Sequence, residues 1–305
     1  MKALAALIMK GRGQAVMAAT VFMILALIVT PLGLFSTAVV GVVTLRHGLR
    51  EGALVALLGV LALGALGALL FGQPLALAVT GLLAWLPLMV LAEVLRASRS
   101  LRLAVELAVV LGLLMVATQY LVLEDVTGHW QAILGEYAGQ ILDPAVVSEA
   151  ERQAMVEQIA PWMAGGLAAA WFLQLVLSLF LARGWQALLY NPGGFAAEFR
   201  ELRLGRWLLV LTPLLLLAGM AGEKPGILAQ GALVGMAAFF IQGVAAAHGL
   251  VARLQGGSLW LIGFYFMLVI GMPASFTLVS AFGFADGLVN FRARVRPRGP
   301  GAGDE

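Results

Sequence analysis

The chain has no cysteine and only three histidines. The first absence excludes disulfides, thiol nucleophiles and cysteine-based zinc or iron–sulfur sites. His47, His129 and His248 are far apart and fit no H-E-x-x-H helix pattern, so histidine-ligated metal is not expected either. No P-loop, no G-x-G-x-x-G after a strand pattern and no G-x-S-x-G occurs, which removes the usual apparatus for nucleotide hydrolysis and acyl transfer. No Ser/His or paired-Asp signature points to an intramembrane protease. We therefore expect no enzyme activity, no cofactor and no metal. Charge is the other scarcity. Charged residues make up 11% of the 305 residues and hydrophobic ones 62%, where a soluble domain carries about 25% charge. So little polarity cannot cover a water-exposed surface, and lipid must face much of it.

What is present is a series of long apolar runs. The first, Gln14 to Leu45, is interrupted at Thr30-Pro31-Leu32-Gly33. It is too long for one helix and short for two full spans, each of which needs about 20 residues, so it reads as two short helices or a re-entrant hairpin. Gly52–Gly72 and Pro74–Ala92 form a hairpin across Gly72-Gln73-Pro74, and Leu103–Leu123 crosses next. Trp162–Ala182 returns. Trp207–Ala221 and Gly226–Leu250 make a further hairpin, and Ser258–Phe291 is broken at Met272-Pro273. The fold class is all-α, a polytopic transmembrane helical bundle of about eight helices, ten if both proline-broken runs are hairpins. Residues 1–297 read as one membrane domain, with 298–305 a disordered tail.

The connectors carry the orientation. If the N-terminus is cytoplasmic, all of the 19 Lys and Arg except Arg152 and Lys224 fall on the cytoplasmic side. This is the positive-inside pattern, and it places both termini in the cytoplasm of a bacterial inner membrane. The basic balance reflects topology and anionic headgroups rather than nucleic acid. Residues 124–161 differ from the rest. They collect acidic residues, with Glu223 on the same outer side, and Trp130, Ile133, Leu134, Tyr137 and Ile141 recur at helical spacing. Asp143-Pro144 is a helix-start signal and Ser148-x-x-Glu151 a capping-box pattern, so we expect amphipathic extracytoplasmic helices here. Residues 183–206 form a cytoplasmic loop containing the Asn191-Pro192-Gly193-Gly194 turn. Phe195, Phe199 and Leu202 then follow at i, i+4 and i+7, the pattern of a short interfacial helix.

Several residues are candidates for a site. Asp286 lies inside the last apolar run, where an ionisable group marks either a solute or proton site or a carboxylate paired to the helix-end arginines, with Asn290 and Arg294 at i+4 steps. Gln119, Gln174, Gln230 and Gln242 are amides in or near spans. They either join helices or line a cavity for a small polar solute. Glu106, four residues after Arg102, reads as half of a helix-surface ion pair. Ala15-x-x-x-Ala19 and Gly231-x-x-x-Gly235 permit close helix packing, within the bundle or against a partner. His47-Gly48-Leu49 and His248-Gly249-Leu250 flank the two broken runs as a faint internal echo. Paired broken segments of this kind are a pointer to a transporter binding site.

The blocks Met9-Lys10-Gly11-Arg12-Gly13-Gln14-Ala15, Trp185 to Phe195, Glu198-Phe199-Arg200, Leu202-Arg203-Leu204, His248 to Ala252 and Asp286 to Arg292 resemble a proteobacterial family of inner-membrane proteins, the YybS-like family (domain of unknown function 2232). The resemblance spans most of the chain, and Tyr190-Asn191-Pro192-Gly193-Gly194-Phe195 is its most specific block. That family is remotely similar to the substrate-binding S components of energy-coupling-factor vitamin transporters. The resemblance implies a small helical bundle that binds a vitamin-like solute and docks a coupling subunit through an Ala-x-x-x-Ala face, here Ala15 and Ala19. The expected function is therefore a small-solute binding or transport subunit. The alternative is a membrane assembly or scaffold protein acting through Asn191–Arg206, with Asn191, Pro192, Gly193, Gly194, Phe195 and Phe199 as contacts. Expected partners are the lipid bilayer, a coupling or assembly subunit and a small polar solute, with no nucleic acid.

Overall fold

A computed structural model describes residues 1–143, 146–222 and 224–295. Pro144, Glu223 and the 298–305 tail lie outside the described residues. The helices in chain order are α1 (Lys2–Ile8), α2 (Arg12–Ala26), α3 (Leu32–His47), α4 (Leu49–Phe71), α5 (Pro74–Ser98), α6 (Leu101–Val122), α7 (Val126–Ile141) and α8 (Glu149–Ile159). A 3-10 turn, Ala160–Trp162, leads into α9 (Met163–Tyr190). After it come α10 (Gly194–Arg200), α11 (Arg206–Gly219), α12 (Ile227–Arg253), α13 (Ser258–Ile270), α14 (Ala274–Val289) and α15 (Phe291–Arg294). No strand occurs among the described residues. Among the described residues, five segments are long and apolar enough to cross a membrane, namely α4, α5, α6, the 149–190 stretch and α12. Five shorter apolar helices accompany them, α2, α3, α11, α13 and α14. Large apolar side chains such as Leu69, Leu121 and Leu259 stand fully outward, as lipid contact requires. The protein is a multi-pass, all-helical membrane protein.

The helices overrun the apolar runs at their charged ends. α5 continues past Ala92 to Ser98, and α9 past Ala182 to Tyr190, so the first third of the expected 183–206 loop is helix. Arg, Glu and Gln favour helix as strongly as most apolar residues do, so hydropathy ends before the backbone pattern does. In the outer segment, Asp125 caps α7 by accepting from the Gly128 N–H, and Ser148 and Glu151 form the capping box of α8.

The described residues fall into two compact units, each discontinuous in sequence. The first comprises 1–108 and 173–203. Its core is α3, buried from Ser36 to Leu45, packed on α2, α4 and α5. α2 and α3 form an antiparallel hairpin, in which the Ser36 hydroxyl donates to the Ala19 carbonyl (2.7 Å) and Phe22 meets Phe35. Trp85, near the middle of α5, donates its indole N–H to the same Ser36 hydroxyl (3.1 Å). The α2–α3 turn therefore lies near the mid-height of α5. Gly48, at φ +91°, makes the sharp α3-to-α4 junction, a backbone state that suits glycine.

The second unit comprises the described residues of 109–172 and 204–295. α12 and α14 are its centre. Phe240 stacks on Phe276, Gly243 meets Val279, and Arg253 reaches Arg292, so partner numbers rise together and the two helices run parallel. α13 is the return arm. Its 13 residues cover about 20 Å, short of the roughly 30 Å of hydrocarbon, and none of them is buried. α14 accordingly begins beside Phe240, halfway along α12. Both proline-broken runs are thus hairpins that turn back part-way. The HGL tripeptides do not correspond structurally. Gly48 breaks the chain between two helices, whereas Gly249 is buried inside α12.

Candidate functional site

In the second unit, Asp286 and Arg292 form a buried ion pair, 0% and 1% exposed, with Arg292 Nη2 2.7 Å from Asp286 Oδ2. Asp286 is thus paired to a helix-end arginine, as one of the two readings of the sequence has it, and that arginine is Arg292. Asn290 adopts a left-handed conformation (φ +54°), ends α14 and turns the chain, which aims Arg292 back at Asp286. The same reversal lets Arg253 Nη1 donate to the Arg292 carbonyl (2.6 Å). Gln242 completes the cluster. Its amide donates to the Gly283 carbonyl (2.9 Å) and, at 3.5 Å, to Asp286 Oδ2, while its oxygen accepts from the Leu204 N–H (2.8 Å). Asp286 Oδ1 is buried with no hydrogen-bond partner among the described residues. The close fit depends on glycine, because a Cβ on Gly283 would be driven into the Phe239 carbonyl and one on Gly243 into the Val279 carbonyl.

A second polar cluster surrounds the start of α9. Gln230 accepts from the Gly165 N–H (2.6 Å) and donates to the Pro161 carbonyl. Gln119 donates to the Ala164 carbonyl (3.2 Å) and accepts from the Trp130 indole (3.1 Å). Gln119 and Gln230 are therefore brought together on one helix start, and Gln242 with Asp286 on another break. Gln174 lies in the first unit, half-buried. Gly231 and Gly235 fit against Leu215 and Thr212 of α11, so this small-residue face packs inside the unit.

In the first unit, Ala15 and Ala19 are both buried, at 1% and 0% exposure, with the Ala19 carbonyl already bonded to Ser36. The Asn191–Phe199 segment is firmly built. Gly193 takes φ +83°, and Asn191 Nδ2 fills the space where a Cβ on Gly194 would stand. Arg183 grips Glu198 with both Nε (3.0 Å) and Nη2. Phe195 and Phe199 pack on Phe180 at 5.6 and 5.3 Å between ring centroids. Asn191, Pro192 and Gly193 remain exposed at the tip. The aromatic pattern foretold the helix, whereas its anchor, Arg183, was hidden in what reads as an ordinary topogenic arginine. Glu106 pairs with Arg102 at 2.6 Å, as its i+4 spacing indicates.

Comparison with protein-family models, with curated proteins and with solved structures finds no match to this chain.

Proposed function

We propose that this multi-pass protein is a non-enzymatic solute-binding or transport subunit of the bacterial inner membrane, with both termini cytoplasmic. On this reading it resembles the S components of energy-coupling-factor transporters, as its likeness to the YybS-like family implies. The observation that carries the reading is the Gln242–Asp286–Arg292 cluster. A carboxylate buried at 0% exposure, beside a parallel helix pair and a helix break, keeps one oxygen unpartnered. Ionisable groups in membrane-spanning segments are costly, and they characteristically serve a solute, a proton or a partner. Asp286 Oδ1 is an acceptor for a solute ammonium or hydroxyl, and the broken α13–α14 run supplies the irregular backbone that transporter sites use.

The test is thermal-shift screening of the purified full chain against vitamins and polar metabolites. We expect one class to stabilise the wild type. Asp286→Asn alone removes the carboxylate bonded to Arg292 Nη2, so the comparison variant is Asp286→Asn/Arg292→Gln, which should fold and lose the ligand shift. No stabilisation by any compound, together with no copurifying coupling subunit, argues against the reading.

A second reading is supported by the exposed, well-anchored Asn191–Gly193 tip, which is more elaborate than a connector requires. There the protein is a scaffold that docks a cytoplasmic partner. Crosslinking with Pro192→Ala and Asn191→Ala should remove such a partner while leaving folding intact, and unchanged partners would count against it.

A further inference from the structure

Three arginines of the first unit converge on one cavity, with Asn191 of the exposed tip at its edge. The cavity has a volume of about 330 Å³ and is lined by Arg96, Arg99, Arg183, Gln186, Asn191 and Glu198 over an apolar floor of Leu45 and Leu95. It lies at the C-terminal ends of α3, α5 and α9. Helix C-termini attract cations, so arginines there have a structural reason. That reason does not explain a cavity, nor how the guanidinium groups are held.

Two of the three are fixed in place by carboxylates. Arg183, largely buried, is gripped by Glu198 through Nε and Nη2. Arg96 is held in the same two-point way by Glu93 (2.9 and 2.6 Å), and Glu93 also accepts from the Leu49 backbone N–H at the start of α4. The Arg96 guanidinium lies 3.6 Å from where a Cβ on Gly48 would stand. A guanidinium has five N–H donors, so each of these arginines keeps three for another acceptor. Arg99 is exposed at a left-handed C-cap (φ +55°), and among the described residues it forms no side-chain hydrogen bond or ion pair. Gln186 is positioned by donating to the Leu45 carbonyl (3.3 Å).

We propose that this cavity binds a phosphate-bearing ligand. Guanidinium forks match phosphate oxygens in pairs, and two pre-oriented arginines with a third free one present donors from the ends of α5 and α9. Three guanidinium groups against Glu93 and Glu198 leave a net positive charge for an anion. The volume exceeds that of a bare phosphate, leaving room for the group it esterifies. The phosphate comes either from a soluble monoester or from an anionic lipid headgroup, which basic pockets between membrane helices bind and which presents the same group.

The experiment uses the full chain in detergent and in nanodiscs. One arm titrates glycerol 3-phosphate by calorimetry. The other measures, by native mass spectrometry, retention of phosphatidylglycerol against phosphatidylcholine. Arg99→Gln removes the free guanidinium without breaking a structural pair, and Arg50→Gln, exposed elsewhere in the unit, controls for general charge. We expect saturable binding in one arm, weakened about tenfold by Arg99→Gln and unchanged by Arg50→Gln. Binding in the first arm assigns a soluble ester, and binding in the second a lipid. The proposal is overturned if neither probe binds, or if the two variants weaken binding equally.

Discussion

Breaking the Asp286–Arg292 pair from one side should cost far more than removing it altogether. Both side chains are excluded from solvent, at 0% and 1% exposure, and their nearest charged atoms are 2.7 Å apart. With an effective dielectric near 20, charges about 4 Å apart attract by roughly 4 kcal/mol. Desolvation offsets most of that gain while the pair is intact. Once one partner is gone, the other keeps the penalty without the attraction, and losses of about 3–5 kcal/mol are typical. Asp286→Asn takes the carboxylate away from Arg292 Nη2, and Arg292→Met takes the guanidinium away from Asp286, whose Oδ1 already has no partner among the described residues. Each single variant should lose about 3 kcal/mol or more, and the double variant less than either single. Arg253 still bonds the residue 292 carbonyl in all three, so the turn after Asn290 is kept. Reversible SDS unfolding in mixed micelles, followed by tryptophan fluorescence, measures the cycle. Losses that simply add in the double variant would refute the reasoning, because additivity means that the two charges do not depend on each other.

Three further outcomes follow from the packing and the topology. Gly283→Ala pushes a methyl into the Phe239 carbonyl and should cost about 1–3 kcal/mol or more, whereas Gly263→Ala, with open space around it, should be neutral or up to about 1 kcal/mol stabilising, both read from the same unfolding midpoints. Ser36→Ala removes the acceptor of the buried Trp85 indole and should cost about 1–3 kcal/mol, and an unchanged midpoint would show that the Trp85–Ser36–Ala19 chain contributes nothing. Because the chain has no cysteine, single-cysteine variants map topology directly. The Val146→Cys variant should react with an impermeant maleimide in spheroplasts and Asn191→Cys only after lysis, and the reverse pattern inverts the orientation.

Much of the architecture was readable because hydrocarbon imposes length and polarity on each span. The Gly72-Gln73 turn, both broken runs and the Ser148–Glu151 capping box fall where local chemistry puts them. Helix ends such as Ser98 and Tyr190 were not readable from hydropathy, which stops at the first charge while the helix does not. The site was less legible. Asp286 stands out as a charge in an apolar run, but its partner is set by a left-handed Asn290, a tertiary choice that spacing rules do not contain. Arg96, Arg99 and Arg183 look alike in the sequence as topogenic charges, and only folding separates the two held by carboxylates from the one that is not.

The amides make the same point about what polar residues do in lipid. Each of the three in the second unit sits where backbone leaves a helix. Gln230 and Gln119 serve the Pro161–Gly165 entry to α9, and Gln242 takes the Leu204 N–H just before α11 begins. At membrane depth, a freed N–H or C=O has no water to turn to, and a long amide offers one donor end and one acceptor end. Ser36 plays a related part at the α2–α3 hairpin with a single hydroxyl. Side chains used in this way are poorly placed to release their partners for a solute without opening the helix start they hold. A solute reading of this protein therefore depends on Asp286, whose second oxygen is the buried acceptor still without a partner in that cluster.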